Sequence, residues 1–173
     1  RWRYLCLALV ALLAALSLPD LFSPPISPTI LRQTQTFSQT LHFASAGFSL
    51  DALTIDIDGP VPFRVVYEFP VYQSVVGLLF LVFNPAFFLG KLVSLIATLV
   101  GFGSMLQLAR HRWGEAIASR AGFFLAVCPI TLLESAAFQP DALALALGAL
   151  AGGAQSASRS EEHTSELQSP LNI

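Results

Sequence analysis

Residues 89–109 read LGKLVSLIATLVGFGSMLQLA, an apolar run of twenty-one residues whose single charge, Lys91, sits near its start. A helix needs about 20 such residues to cross a bilayer core, and a lysine near its end can snorkel to the interface. This run decides the fold class. Around it lies a chain of 173 residues that is 54% apolar and 12% charged, with mean hydropathy +0.66. An ordinary soluble domain is about a quarter charged, so a cytosolic globule and a disordered segment are both excluded, and a polytopic, all-α membrane protein is expected. A formal charge of −2 gives no reason to expect a nucleic-acid or acidic partner. Cys6 and Cys128 both lie inside apolar runs, which offers neither a disulfide framework nor a zinc site.

Working outward, further spans are expected at 4–18, 116–133 and 142–154. Tyr4–Leu18 follows Arg1-Trp-Arg3 and is stopped by Pro19-Asp20. A cleaved signal peptide is the rival reading, disfavoured by the poor cleavage site at Ala15-Leu16-Ser17 and by the spans that follow. Ala116–Leu133 is interrupted late by Cys128-Pro129, which a packed membrane helix tolerates. Ala142–Ala154 begins another span. It then meets Arg159-Ser-Glu-Glu-His-Thr-Ser-Glu-Leu-Gln-Ser169, which resembles the in-frame translation of a common short-read sequencing adaptor. Residues 159–173 are accordingly expected to be an artefactual tail and are excluded from fold reasoning. Both ends of the chain are expected to be incomplete. Residues 1–158 then carry eight basic and eight acidic side chains.

Charge decides the topology. Arg1 and Arg3 place the N-terminus in the cytoplasm, and Arg110, His111, Arg112 and Arg120 form the other basic cluster. Val71–Phe88 is apolar but interrupted by Gly77 and Asn84-Pro85. If it lies along the membrane surface, both basic clusters are cytoplasmic; if it crosses, the second moves outside. The interfacial reading is preferred on that rule. It places Asp20, Asp51, Asp56, Asp58, Glu68, Glu134 and Asp141 on the outer side and leaves Glu115 inside.

The long outer loop, 19–70, exceeds what a simple connector needs. Ser23-Pro-Pro-Ile-Ser-Pro28 breaks the first helix. Phe37, Leu41, Ala44 and Phe48 then recur at helical spacing opposite Gln33, Gln35, Ser38 and Gln39, ending at Gly47. They predict an amphipathic helix, either lying in the interface or packed on the bundle. Asp51, Asp56, Asp58, a Gly59-Pro60 turn and Arg64 follow. Carboxylates beside arginines at a membrane face have the parts for proton removal and phosphate capture.

Leu31-Arg-Gln-Thr-Gln-Thr36, Tyr67-Glu-Phe-Pro-Val-Tyr-Gln73, Gly90-Lys-Leu-Val-Ser94 and Ala136-Ala-Phe-Gln-Pro-Asp141 occur in the order seen in GT-C membrane glycosyltransferases. The chain resembles the branch related to protein O-mannosyltransferases and the lipid A aminoarabinose transferase, the dolichyl-phosphate-mannose–protein mannosyltransferase-like or glycosyltransferase family 39 type. The resemblance covers roughly residues 4–154, the N-terminal part of a much longer pattern. It implies an interfacial helix pair in the first outer loop. It also implies inverting transfer of a sugar from a polyprenyl-phosphate donor to an acceptor hydroxyl on a lipid, glycan or protein, at the outer face. The piece alone is expected to be inactive.

Such chemistry needs a carboxylate to take the acceptor proton and cations to hold the departing phosphate. Many relatives carry an acidic pair at the start of the first interfacial helix, where this chain has Arg32-Gln33, so the role of base passes elsewhere or the chemistry differs. Glu68, close to the position of a relatives' motif before Pro70, and Asp58 are the catalytic candidates; Asp58 reads equally as turn chemistry before Gly59-Pro60. Asp56 reads as a solvated loop charge. Arg32, Gln33, Arg64 and Asp141 are candidates for substrate and phosphate binding. Lipid anchoring is an equal reading for the arginines, and helix capping a slightly stronger one for Asp141. Glu134, at a span end, is costly enough to invite a functional role. Trp2, Tyr67 and Tyr72 read as interfacial aromatics.

No cofactor is assigned, and a divalent metal, though compatible with the chemistry, has no support in the residues, because three histidines, one of them in the tail, make no ligand cluster. The adaptor-like tail points to environmental sequence. The expected place is therefore a bacterial cytoplasmic membrane with its active face in the periplasm. The competing reading is a non-catalytic polytopic protein, a transporter or lipid-handling component. A third is a degenerate, inactive relative. A transporter would bury charges mid-span and repeat broken helices, whereas here the charges gather on one side.

Overall fold

In the computed structural model the described backbone covers residues 1–25, 29–55, 63–64 and 70–168, with side chains described for 1–25, 29–53 and 70–155. It is helical apart from a two-residue antiparallel pairing of β1 (Thr54–Ile55) with β2 (Phe63–Arg64), in which Thr54 faces Arg64 and Ile55 faces Phe63. The helices are α1 (Trp2–Phe22), α2 (Ile30–Ser45), α3 (Val71–Val82), α4 (Phe87–Trp113), α5 (Glu115–Ala126), α6 (Pro129–Ser135) and α7 (Asp141–Gln168), with a single 3₁₀ turn at Leu50–Ala52. Two of them, α1 and α4, are long and apolar enough to cross a membrane; α5 with α6 makes a third if the pair counts as one bent span.

The boundaries differ from the sequence expectation for local reasons. Pro19 lies inside α1, which continues to Phe22. Its stop is Ser23, whose N–H and hydroxyl both donate to the Asp20 carbonyl, ahead of Pro24-Pro25. The run expected at 116–133 is not one helix. Cys128 takes an extended conformation before Pro129, and α5 and α6 meet at a bend of 66°. Pro129 lacks an N–H and disfavours helical geometry in the residue before it. α4 runs past the expected end through Arg110, His111 and Arg112, cations that suit a helix C-terminus, and stops at Gly114 with φ +83°. α3 ends at Val82, short of the expected Phe88, because Asn84-Pro85 holds the backbone out of the helix. Its twelve residues span about 18 Å, less than a bilayer core. The helix expected over 142–154 is α7; its backbone continues to Gln168, through the adaptor-like stretch.

Contacts give the helix directions. Trp2 donates to Gln107 and Lys91 reaches the Asp20 carbonyl, so α1 and α4 run antiparallel. Gly101 lies against Ala146 and Gly152 beside Leu108, so α7 runs parallel to α4. One core cluster packs Trp2, Cys6, Leu9 and Leu13 of α1 against Phe102 and Leu106 of α4 and Ala118 and Ala126 of α5. The α1 members recur at three- and four-residue steps, one face of a helix. The other cluster joins Tyr72, Val76 and Phe80 of α3 to Phe138, with Phe37 and Phe87 packed on it. Phe37 stacks on Phe87 at 4.3 Å between ring centroids and meets Phe138 edge-on at 5.6 Å.

α2 shows a mixed face where a clean amphipathic split was expected. Gln33, Thr36, Gln39 and Thr40 are buried with Phe43 and Ala44, whereas Leu31 and Leu41 are exposed. Thr36 and Thr40 hydroxyls donate to the carbonyls four residues back, which lets a polar face turn inward without stranded donors. α2 packs on α3 antiparallel, Ala44 by Gly77 and Phe37 by Phe80.

Candidate functional site

The polar groups concentrate where α1 ends, α4 begins and the loop between α6 and α7 docks. Five hydroxyls and an ammonium tie these elements together. Tyr72 donates to the Gly90 carbonyl at 2.8 Å and lies 3.0 Å from the Ser94 hydroxyl, which donates in turn to the Gln139 carbonyl. One turn along, Thr98 donates to the Ser135 carbonyl, and the Ser135 hydroxyl lies 2.7 Å from that of Ser17. Lys91 donates to the carbonyls of Asp20 and Ser23 at 2.8 and 2.7 Å. The Ser23 carbonyl lies just past the end of α1, where helix geometry leaves carbonyls short of N–H partners, and the Asp20 carbonyl also accepts from the Ser23 N–H and hydroxyl.

Gly90 makes room for the loop. A Cβ there would overlap the Phe138 ring, so only glycine lets the loop settle onto α4. Gln33 then holds the loop from the other side. Its Oε1 accepts the Phe138 N–H at 3.2 Å and its Nε2 donates to Thr29. Beside it Arg32 and Asp141 form an ion pair at 3.0 Å, each side chain about half exposed. Gln139 donates to the Glu134 carboxylate at 2.8 Å. The result is a hydrogen-bonded floor with the Arg32 guanidinium and the Asp141 carboxylate at its rim.

The structure therefore brings together Arg32, Gln33 and Asp141 from two regions 109 residues apart. Gln33 is 2% exposed and committed to the loop backbone, which makes it a support beneath the rim. Glu68, Asp58 and Asp56 lie outside the described residues. Arg64 is placed in β2 by its backbone, and its side chain also lies outside them. Tyr72 and Trp2, read as interfacial aromatics, are both buried: Tyr72 as the anchor just described, Trp2 against Gln107 with Arg110 over its ring. Burial pushes the Tyr72 phenol above its ordinary range, so it stays a protonated donor. The sequence reading missed the Ser17–Ser135–Thr98 tie. Its only trace is small hydroxyl residues within apolar helices, which are common at membrane helix interfaces whatever their role.

Next to this floor, Leu21, Phe22, Pro24, Pro25, Phe87 and Phe88 line an open cleft of about 550 Å³ with Lys91 at its side. Phe22 stacks on Phe88 at 5.4 Å. Among the described residues no three His, Cys, Asp or Glu side chains are grouped to hold a metal ion.

The chain matches no family model, no curated protein and no solved structure. Any functional assignment therefore rests on the residues and their geometry.

Proposed function

We propose that this chain is the N-terminal part of a membrane-embedded GT-C-type glycosyltransferase, which moves a sugar from a polyprenyl-phosphate donor to an acceptor hydroxyl on the outer side of a bacterial cytoplasmic membrane. The observation that carries the reading is convergence. The four segments behind the resemblance lie far apart in sequence, yet Arg32 and Gln33, Tyr72, Gly90 and Ser94, and Phe138, Gln139 and Asp141 meet in one hydrogen-bonded cluster.

The helix directions add support. With α1 running outward, α4 and α7 run inward, the cluster falls at the outer end with Arg32 and Lys91, and Arg1, Arg3, Arg110, His111 and Arg112 fall at the inner end. The α2–α3 pair exposes Leu31, Leu41, Val75, Leu78 and Leu81, an apolar surface suited to the membrane interface. Asp141 holds the Arg32 guanidinium at an exposed position, where an arriving phosphate would meet it. Glu68 or Asp58 would take the acceptor proton as the hydroxyl oxygen attacks the anomeric carbon, and the phosphate would leave toward Arg32 and Arg64.

A photoreactive polyprenyl-phosphate sugar tests the reading on the chain in membranes. Labelling that unlabelled polyprenyl phosphate suppresses and polyprenol does not, and that weakens in Arg32→Gln, is the expected result. Labelling that polyprenol suppresses equally, or none at all, overturns the donor assignment and favours a non-catalytic lipid-handling protein. In the full enzyme, unchanged transfer by Glu68→Gln removes Glu68 as base.

A further inference from the structure

The opposite end of the bundle carries a second feature, which the proposed chemistry does not use. The start of α1, the end of α4 and the start of α5 meet there. Trp2 donates to Gln107 at 3.2 Å, the Arg110 guanidinium lies 5.4 Å from the Trp2 ring centroid, and Arg110 pairs with Glu115 at 3.1 Å. Arg110 is thus occupied as a latch between three helices.

Its neighbours are not. Arg1, Arg3, Arg112 and Arg120 are all exposed and have no ion-pair partner among the described residues. Of the seven lysines and arginines with described side chains, Arg32 and Arg110 are paired and Lys91 is buried on carbonyls, so every unpaired guanidinium lies at this end. Glu115, the one described carboxylate among them, is already spent on Arg110.

The aromatics say what kind of surface this is. Trp113, the last residue of α4, is 63% exposed and Tyr4 is 79% exposed, beside the same arginines. Exposed tryptophan and tyrosine at the end of an apolar helix belong at headgroup level, with the ring in the acyl boundary and the polar edge in water. Arginine matches a phosphate with a planar fork of donors and keeps its charge at every working pH. Unpaired arginines at headgroup depth face lipid phosphates before they face anything else.

We propose that this end is a binding surface for anionic phospholipid headgroups, with Arg3, Arg112 and Arg120 as the phosphate ligands and Trp113 and Tyr4 seating the lipid. The proposal rests on the reading of the chain as membrane-embedded, and not on its enzymology.

The protein supplies its own probe, because Trp2 and Trp113 are its only tryptophans and both sit at this end. The full chain is reconstituted in phosphatidylcholine vesicles holding a small fraction of either brominated phosphatidylglycerol or brominated phosphatidylcholine, and tryptophan quenching is measured. Phosphatidylglycerol should quench at a roughly fivefold or greater lower mole fraction, since each arginine near an anionic surface contributes about 1 kcal/mol. High salt should narrow the difference. The triple variant R3Q/R112Q/R120Q, all exposed positions, should lose the preference and keep the quenching by phosphatidylcholine. Equal quenching by the two lipids in the wild type overturns the proposal and leaves membrane insertion standing. A preference that survives the triple variant also overturns it. Quenching by neither lipid overturns the membrane reading itself.

Discussion

The guanidinium of Arg32 and the carboxylate of Asp141 meet at 3.0 Å across 109 residues of sequence. The pair joins the first turn of α2 to the first residue of α7. Both side chains are about half exposed, so the contact contributes at most about 1 kcal/mol. Its effect is one of position: it fixes where a cation stands at the rim of the cluster.

Arg32→Gln and Asp141→Asn should therefore leave the melting temperature in detergent nearly unchanged, within the shift expected for about 1 kcal/mol. Labelling by a polyprenyl-phosphate probe should fall in Arg32→Gln. In Asp141→Asn the guanidinium keeps its charge and loses its tether, so labelling should persist with weaker dependence on probe geometry. A large loss of stability in either variant would show that the pair holds the fold together.

Gly90 and Phe138 allow the opposite pattern. Gly90→Ala puts a methyl group into the Phe138 ring and should destabilise by about 1–3 kcal/mol, read as a lower melting temperature. Phe138→Ala, which empties a fully buried site, should cost about 3–5 kcal/mol. The double variant should recover part of the Gly90→Ala loss, because the ring that clashes is gone. Simple additivity would mean that the loop does not rest on Gly90.

Lys91→Met keeps the apolar stem and removes the ammonium. The Asp20 carbonyl still has the Ser23 N–H and hydroxyl, but the Ser23 carbonyl loses its donor. A cost of about 1–3 kcal/mol is expected for a stranded acceptor, with faster proteolysis at Pro24-Pro25 as the local readout. Wild-type protease resistance in Lys91→Met would mean that water replaces the ammonium at no loss.

Tyr72 predicts an alkaline limit. Its folded phenol titrates above the ordinary value of about 10, so the folded chain holds a proton that the unfolded chain releases. The sign follows directly. This contribution is complete below about pH 10 and is lost as pH rises beyond it. The tyrosinate absorbance that distinguishes wild type from Tyr72→Phe should emerge only with unfolding. Its appearance in the folded protein would contradict the burial of this side chain.

That α1 and α4 are long and apolar enough to cross a membrane was legible because apolar length is a local property: Leu89–Ala109 announces α4 with no help from the rest of the chain. Arg32, Gln33 and Asp141 were legible as polar residues of interest, but their roles were not. Gln33 looked like part of an exposed polar stripe and proved to be a buried support for the Phe138 backbone. The helical wheel of α2 cannot reveal this, since it ranks faces by polarity and has no knowledge of a loop arriving with an N–H to satisfy. Tyr72 misled for a similar reason. An aromatic with a hydroxyl suits the membrane interface and a buried hydrogen bond equally well, and only the Gly90 carbonyl decides between them.

The sequence by itself determined the helical, apolar character of the chain, the approximate extents of α1 and α4, and the break at Pro129. Each follows from hydropathy over one helix length or from a missing N–H. Tertiary structure alone decided that α5 and α6 meet at 66°, that Lys91 is clamped onto the end of α1, and that Arg32 finds Asp141. These depend on which carbonyls and side chains arrive from distant parts of the chain, and packing, not local pattern, sets their arrival.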